Sequence, residues 1–422
     1  MHRLTAENAE SAEKETLVFL SALSAISTVN FERGVSVRWT VAILCLLLFA
    51  LPCVPAADPP AKDEEMKELD RHIDDALAFL QKQQLQDGGW MAGNGIRGAG
   101  GQAHPAVTSL CVMAFLSAGH VPGEGRYGAA VEKGIRYVLQ CQLPNGLIAR
   151  GAAGNQEMYT HGISTLMLAE AAGMTDGDLG DEIRKKLHDA VNVILTAQRK
   201  KEGPGKGGWR YTVADFDPSS DISVTGWQIM ALRAAKNVGC DVPAERIDAA
   251  VAFIKRCHDA NSGGFDYQPG SNLTVPVTGT SILALELCGK DQHRSDLVIR
   301  AGDFLLKQVV ERYNNGPFNN GISLFGNFHY YGVYYVSQAM FQLGGNYWDA
   351  YRPVLHGILY RDQLPRDASA DYGGSWGSGL RPIRGGDGGY GANYCTAMCV
   401  LALTVEYRYL PIYQRDEEPT DK

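Results

Sequence analysis

The sequence has no excess of positive charge. Its 422 residues carry 39 Lys and Arg against 47 Asp and Glu, which gives a formal net charge of −8. Proteins that bind nucleic acid usually have a basic patch or stripe, and the body of the chain contains no such cluster. The composition therefore argues against a nucleic-acid partner.

Cysteine pairs with the spacing of a metal site are also lacking. Seven cysteines follow residue 57, which is an odd number, and no two of them are spaced Cys-x-x-Cys. Most lie within apolar patterns of helical period, where a free cysteine behaves as a small buried hydrophobe. We therefore expect neither a disulfide framework nor a zinc site, and we expect no cofactor.

No apolar run is long enough to span a membrane comfortably. The longest, Trp39 to Leu51, has 13 residues, whereas a spanning helix needs about 20. Arg38 precedes this run and the small-residue stretch PCVPAA follows it, which is the pattern of a secretory signal. We predict a signal peptide over 35–57 and hence export, with membrane anchoring if the signal stays uncleaved.

The flanks of this signal differ from the rest of the chain. Residues 1–34 resemble nothing in the body, so we predict a wrongly assigned start or a disordered extension there. A linker is expected over 58–63 and a polar tail over 411–422. The mature chain should hold no spanning helix, although it could act near a membrane.

Glycine-rich turns that end in an aromatic or apolar residue recur along the chain. They are DGGW (87–90), NGL (145–147), GGW (207–209), GGF (263–265), NGPF (315–318) and GGSW (373–376). Their last residues are 53 to 62 positions apart. Such a period is typical of repeat architectures, and six units fill the chain from about residue 64 to 410.

Each unit has the same internal plan. An amphipathic segment precedes the turn, over 65–84, 127–142, 181–198, 244–257, 294–312 and 348–363. A more uniformly apolar segment follows it, over 105–118, 158–173, 222–236, 276–288, 328–343 and 392–408. Helices that are apolar on most sides are buried on most sides. The pattern predicts an all-α fold, an α/α toroid of six helical hairpins (α6/α6 barrel) forming one domain over 64–410.

The turns also resemble a known family. Residues 84–90, QLQDGGW, match the Gln-x-x-x-Gly-x-Trp repeat of squalene and oxidosqualene cyclases, and QLPNG (142–146) keeps its first half. The other turns keep the glycines and the aromatic residue but lose the glutamine spacing. The chain thus resembles the terpenoid cyclase and protein prenyltransferase superfamily, in particular exported squalene-cyclase-like repeat proteins. The resemblance implies an α/α toroid with a central cavity.

Class II cyclases of this family protonate an alkene with the middle aspartate of Asp-x-Asp-Asp-Thr. Alignment on the helix places Asp221 first in that motif and Ser223 at the acid, so the proton donor is absent. Alignment on the letters makes Asp217 the acid, but Pro218 follows it. The first alignment fits the helix better, and it leaves two interpretations of Asp221: a helix cap, or a carboxylate in the cavity that binds or transfers protons. The Asp-x-Cys zinc pair of prenyltransferases is also missing.

Polar and aromatic residues recur where the inner helices begin, and these points converge on one mouth of the cavity. The candidate catalytic residues are Asp217, Asp221, His161 and His329. The candidate substrate-binding residues are His104, Tyr159, Thr225, Trp227, Tyr330, Tyr331 and Tyr394. Trp90, Trp209 and Trp376 are expected to cover helix ends and to be structural.

Three functions remain open at this point. The first is the binding or transformation of an isoprenoid or similar hydrophobic ligand in the central cavity, which a dry apolar cavity favours. The second is a carbohydrate-active hydrolase or lyase, which needs cavity carboxylates roughly 5–10 Å apart. The third is a non-catalytic interaction scaffold, which a centre filled by side chains favours.

Overall fold

The computed structural model describes residues 62–93, 101–149, 156–214, 218–288, 292–316, 323–381, 385–407 and 409–413. The predicted extension, signal peptide and most of the tail lie outside these ranges, as does Asp217. Within the described residues the regular structure is helical, with isolated β-bridges only at the turns. No helix among them is long and apolar enough to cross a membrane.

Outer helices precede the turns, as predicted. They are α1 (Lys62–Gln83), α3 (Gly128–Gln140), α5 (Gly177–Ala197), α7 (Ala244–Arg256), α9 (Asp296–Leu305) and α11 (Gly345–Asp362). Each has one buried face; in α1, Leu69, Ile73 and Leu77 recur every four residues on that face, which is the spacing of one helical side. After Leu305 the chain continues as a π-helical turn, Leu306–Glu311, and a short α-helix, Arg312–Asn315, where the sequence predicted a single helix.

Inner helices follow the turns and are buried on every side. They are α2 (Pro105–Ser117), α4 (Glu157–Ala172), α6 (Ile222–Asn237), α8 (Val275–Leu287), α10 (His329–Leu343) and α12 (Ala392–Leu403). All 13 residues of α2 are buried. The predicted end of the last inner helix was too late, because the chain tightens into a 3-10 helix at Thr404–Tyr407.

The inner helices form a closed ring. Each one packs against the next in chain order, and α12 packs against α2, which returns the ring to its start. The predicted α/α toroid is therefore confirmed. Closure gives the first and last repeats the same kind of neighbour as the others, so no end has to be capped.

A glutamine bridge joins each of four turns to the next outer helix. The Nε2 of Gln84 donates to the carbonyls of Gly88 in its own turn and Ala130 in α3, both at 2.8 Å. Three more glutamines make the same pair of bonds, each to a turn glycine and to the following outer helix: Gln142 (Gly146, Lys186), Gln198 (Gly207, Arg246) and Gln363 (Gly374, His72).

The sequence spacing of this glutamine is lost in the later turns, as expected, but the structure shows that the bridge itself is kept at Gln198 and Gln363. The loops after Gln198 and Gln363 are longer, so the sequence spacing changes while the two hydrogen bonds remain. Gln363 bonds to α1, so the last bridge closes the ring. Close approach also requires glycine: a Cβ at Gly207, where φ is +92°, would lie 2.0 Å from the carbonyl oxygen of Ala249.

The turn tryptophans cover helix ends, as predicted. Trp90, Trp209 and Trp376 are buried, and each indole N–H donates to a carbonyl near the end of the preceding outer helix at 2.7 to 2.9 Å. The cysteines in the described ranges are all free, and five of the seven are buried. Both observations agree with structural roles.

Candidate ligand-binding site

Asp221 stands at the start of α6 and is completely buried. Its Oδ1 accepts hydrogen bonds from the amide of Val224 at 2.9 Å and from the hydroxyl of Ser223 at 2.5 Å, so it is the N-cap of the helix. Its Oδ2 accepts from Arg210 at 2.6 Å. Burial raises the pKa of this carboxyl, although the three donors oppose the shift. Both interpretations of Asp221 therefore remain, because the cap also carries an ion pair.

Arg210 links this carboxylate to two tyrosines. The same guanidinium nitrogen donates to the hydroxyl of Tyr267 at 2.8 Å, and the guanidinium lies 4.0 Å from the ring centre of Tyr211. The two tyrosine hydroxyls are 2.5 Å apart and hydrogen-bonded. Arg210 keeps 18% of its side chain exposed, so this polar network reaches solvent.

Tyr159 extends the network from α4. Its hydroxyl is 2.5 Å from the Oγ of Ser223, and its ring stacks on Tyr211 with centres 6.0 Å apart. Burial and the nearby charge of Asp221 raise the pKa of Tyr159. Ser223, at the place of the cyclase acid, therefore serves as a hydrogen-bonding bridge between a carboxylate and a phenol.

Tyr331, on α10, also lies near the carboxylate of Asp221. Its hydroxyl bonds to the Oγ1 of Thr280 at 2.8 Å. Burial raises its pKa, and Asp221 and Tyr267 add to the shift, so these groups are close neighbours. Its backbone amide donates to Asp387 at 2.9 Å.

Asp387 comes from a short 3-10 segment, Gly386–Tyr390, between the last turn and α12. The amides of His329 and Tyr330 also face its carboxylate, at the start of α10. Burial nevertheless raises its pKa to about 6. Asp387 thus brings a second buried carboxyl to the region where the inner helices begin.

Tyr394 lies beside this second carboxyl. It is half-buried on α12, packs edge-on against Tyr390 at 5.3 Å, and has a raised pKa from burial and from Asp387. We name the tyrosine mouth as the five half-buried tyrosines around the two carboxyls: Tyr159, Tyr211, Tyr267, Tyr331 and Tyr394.

His161 and Thr225 lie on the inner helices α4 and α6, and their side chains hold the preceding turns. The Nδ1 of His161 accepts from the amide of Ile148 at 3.0 Å, and its Nε2 donates to the carbonyl of Ala190 at 3.0 Å. Thr225 accepts from the amide of Trp209 at 3.1 Å. Burial lowers the pKa of His161 to about 4. Because both ring nitrogens bond to the backbone, His161 is neutral and has no free nitrogen for a substrate.

The other two candidate histidines lie apart from the tyrosine network. His329 is buried at the first position of α10, where its Nδ1 bonds to Ser323 at 2.8 Å and its ring meets Phe325 edge-on. His104 precedes α2 without capping an amide, and burial lowers its pKa. Tyr330 is buried at the start of α10 near Cys395.

Trp227 lies beneath the mouth on α6. Its ring stacks on Tyr334 with centres 5.6 Å apart and an angle of 5°, and it meets Tyr335 edge-on at 5.3 Å. All three side chains are buried. They form an aromatic cluster, the aromatic floor, which contacts the mouth through Tyr335 and Tyr331, whose ring centres are 4.6 Å apart.

Sequence reasoning missed four of the residues that form the mouth: Arg210, Tyr211, Tyr267 and Asp387. A signal for the two tyrosines was present, because the turns GGWRY (207–211) and GGFDY (263–267) share the pattern Gly-Gly-aromatic-x-Tyr. The two final tyrosines are those whose hydroxyls bond to each other. In the described residues no cluster of three or more His, Cys, Asp or Glu could hold a metal ion.

The arrangement offers hydroxyls and one guanidinium on partly open aromatic rings, next to two buried carboxyls. Such a surface can donate to and accept from a polar ligand while its rings supply apolar contact. It lacks an unpaired strong acid at the position of Ser223. The described residues therefore give no support for protonation of an alkene by the family's motif.

Solved structures share this fold. The α-1,6-mannanase GH76A of Salegentibacter sp. HEL1_6, an inactive variant in complex with α-1,6-mannotriose, superposes with a TM-score of 0.55 and 11% identity over 80% of this chain and 99% of that chain. A variant of type II terpene cyclase MstE from Scytonema, in complex with merosterolic acid A, gives 0.54 and 15% over 83% and 100%. D-mannose isomerase gives 0.56 and 14% over 82% and 99%.

At these identities the likeness shows the fold alone. The chain has an α/α toroid, a fold shared by these cyclase, mannanase and isomerase structures. No family model matches the sequence, and comparison with curated proteins finds no match.

Proposed function

We propose that the tyrosine mouth binds a polyhydroxylated ligand of the carbohydrate class. The observation that carries this proposal is the network in which Arg210 joins Asp221 to Tyr267, while Tyr267 bonds to Tyr211. Sugars present many hydroxyl donors and acceptors together with apolar ring faces. A half-buried surface of phenols and a guanidinium, held in place by a buried carboxylate, matches both properties.

Two of the structural neighbours support this choice by analogy, since one was solved with a mannotriose and another is a mannose isomerase. Sequence reasoning placed the isoprenoid first, and the polar mouth reverses that order. A hydrocarbon is best bound in an apolar pocket, and placing it against the partly exposed guanidinium of Arg210 would remove water from that charge without replacing its hydrogen bonds.

The test is a glycan array followed by titration calorimetry, with α-1,6-mannotriose among the soluble probes. Tyr267→Phe removes one hydroxyl from the network and keeps the ring. We expect about a tenfold loss of affinity, the size of one lost hydrogen bond. Tyr347→Phe is the matched control, because that hydroxyl bonds to Asp303 on an outer helix at 2.8 Å and its loss should leave binding unchanged.

Two results would overturn the carbohydrate proposal. One is the absence of binding to every glycan by correctly folded protein. The other is equal binding by the wild type and the Tyr267→Phe variant, which would move the site away from the mouth.

An isoprenoid or similar lipid is the second candidate. The aromatic floor of Trp227, Tyr334 and Tyr335 favours it, because stacked aromatic rings suit a prenyl chain or a cation. A type II terpene cyclase is also among the structural neighbours. Organic extraction of protein purified from its own host, followed by mass spectrometry, tests this candidate: a stoichiometric polyisoprenoid would favour it over the sugar.

We also propose that the protein is exported and that its signal is cleaved near Ala56 or Ala57. The support is the pattern of Arg38, the 13-residue apolar run and PCVPAA. N-terminal sequencing of the natural protein is the test. A mature chain that still contains peptides from residues 1–34 would contradict both the cleavage near Ala56 or Ala57 and the proposed later start.

A further inference from the structure

Three aromatic rings are stacked where the last repeat meets the first. The ring of Tyr360, on α11, lies between His72 of α1 and His356 of α11. The centres of His72 and Tyr360 are 4.0 Å apart with an angle of 7°, and those of His356 and Tyr360 are 5.0 Å apart with an angle of 19°. Both histidines are buried. We name this contact between α1 and α11, with the turn that follows α11, the closing seam.

The hydrogen bonds of His72 require its neutral form. The amide nitrogen of Gln363 donates to two carbonyls, so its Oε1 faces the ring and accepts from Nδ1–H of His72. The other ring nitrogen lies 3.0 Å from a guanidinium nitrogen of Arg71, which can only donate. A second proton on His72 would therefore point at Arg71, and burial also lowers the pKa of His72.

His356 has no carboxylate to itself. The nearest, Glu65 on α1, is 3.7 Å away, and its same oxygen lies 3.4 Å from Arg352. Burial is the main reason that the pKa of His356 falls to about 4, and Arg352 and His72 lower it further. Glu65 does little to reverse this shift because it is already paired with Arg352.

The surrounding charges are mixed. The charged side chains around the stack come from α1, α11 and the segment after α12: Glu65, Glu68, Arg71, Asp75, Arg352 and Glu406. Glu68 and Asp75 favour a charged His72, and an imidazolium also gains from the face of Tyr360. Burial of both rings and the charges of the two arginines favour the neutral form of the histidines. At His72 the neutral form is also required by its hydrogen bonds, because its second nitrogen faces a donor, Arg71.

We propose that the stack of His72, Tyr360 and His356 is a pH-sensitive contact between the outer helices of the first and last repeats, which holds α1 and α11 together at neutral pH and loosens in acid. The other side-chain links between α1 and the last repeat include the buried bridge of Gln363 and surface ion pairs such as Arg366 with Asp75 at 3.3 Å, while α12 packs against α2 in the inner ring. Surface pairs of this kind contribute little. Protonation of a histidine in the stack therefore weakens the contact between α1 and α11, which are far apart in sequence.

The sign follows from the pKa of His356. Its value is lower in the closed ring, at about 4, than the ordinary 6.5 that it regains when the seam opens. Closure is therefore fully favoured above pH 6.5 and weakens as the pH falls towards 4. At pH 5 the equilibrium constant for opening should be about 30-fold larger than at pH 8 from His356 alone.

Hydrogen–deuterium exchange of the purified full-length protein at pH 5 and pH 8, corrected for the intrinsic pH dependence of exchange, measures this opening. Peptides from α1 and α11 should lose about 30-fold protection at pH 5, whereas peptides from α3 and α9 serve as the internal reference, because α5 accepts a hydrogen bond from His161, which also titrates in this range. His356→Phe keeps the stack on Tyr360 without a titratable group, so it should remove most of the effect. His188→Phe, on the exposed side of α5, should change nothing.

Equal loss of protection at all outer helices would overturn the proposal, as would full pH dependence in His356→Phe. If that variant does not fold, NMR titration of carbon-13-labelled histidines in the wild type decides the question directly. A histidine signal assigned to His356 that titrates at or above pH 6.5 would also overturn it.

Discussion

The third and fourth repeats have the same kind of turn, but the charged residues in and after the turn differ. Both carry Gly-Gly-aromatic-x-Tyr, at 207–211 and 263–267, and in both a threonine at the next inner helix accepts the amide of the turn aromatic. Their N-caps also correspond: Asp221 caps α6 and Thr274 caps α8. The residues that repeat are the ones that hold the turn.

The residues that differ make the mouth asymmetric. Arg210 of the third repeat has Asp266 as its counterpart in the fourth, and Asp221 has the neutral Thr274. The ion pair between Arg210 and Asp221 is therefore present on one side of the Tyr211–Tyr267 contact and absent on the other. We infer from this comparison that the residues shared by the two repeats stabilise their turns, and that the residues that differ contribute to the proposed binding site.

The largest expected effect is at the two caps. Asp221→Ala removes the cap and leaves Arg210 without its buried carboxylate, so we expect a loss of about 3 kcal/mol in the free energy of unfolding. Thr274→Ala removes only a neutral cap and should cost about 1 kcal/mol. Guanidinium unfolding at pH 7.5 measures both. Equal losses would show that the ion pair adds nothing to the cap.

The second-largest effect is expected at His161, which accepts a hydrogen bond from the turn amide of Ile148 in the second repeat. His161 holds the place that threonine holds in the third and fourth repeats. We expect His161→Thr to cost about 2 kcal/mol at pH 7.5, because a smaller side chain leaves a cavity. The pKa of His161 is about 4 when folded and 6.5 when unfolded, so its contribution is present above pH 6.5 and is lost as the pH falls.

The difference between wild type and His161→Thr should therefore shrink by about 2 kcal/mol between pH 7.5 and pH 5. Chemical unfolding across that range is the measurement, with His188→Phe as the exposed control. A difference that stays constant with pH would mean that His161 is not held neutral by its two backbone bonds.

The smallest effect is a gain. In the fourth repeat His258 stands where the glutamine bridge begins in the second, since both residues follow a cysteine and pair with the turn. His258→Gln should place an amide between the carbonyls of Gly263 and Leu297, by analogy with Gln142. We expect about 1 kcal/mol of added stability, measured by thermal unfolding. A loss of stability would show that the packing of His258 on Phe265 matters more.

Much of the fold could be predicted from local pattern. The period of the glycine turns and the contrast between amphipathic and uniformly apolar segments indicated outer and inner helices within a few residues of their observed ends. Such patterns depend on neighbours along the chain, which is why they survive in the sequence. The π-helical turn after Leu305 was missed because no residue there breaks the helical pattern.

The glutamine bridges were only half visible. Gln198 and Gln363 bind the same kinds of carbonyl as Gln84, but their longer loops hide the relation in the sequence. The same holds for the mouth: Asp387 meets Tyr331, and Arg210 meets Tyr267, only after the inner helices have been arranged in a ring. A motif search cannot measure distances between residues that far apart.

The sequence by itself determined which segments are helices, which of them are buried, and where each turn falls, because these depend on local propensity and on the periodicity of apolar residues. Only the tertiary structure decided that Asp221 is ion-paired, that His161 bonds to the backbone of a turn and of an outer helix, and that five tyrosines share one mouth. Those facts rest on hydrogen bonds between separate repeats, whose partners are set by ring closure rather than by spacing along the chain.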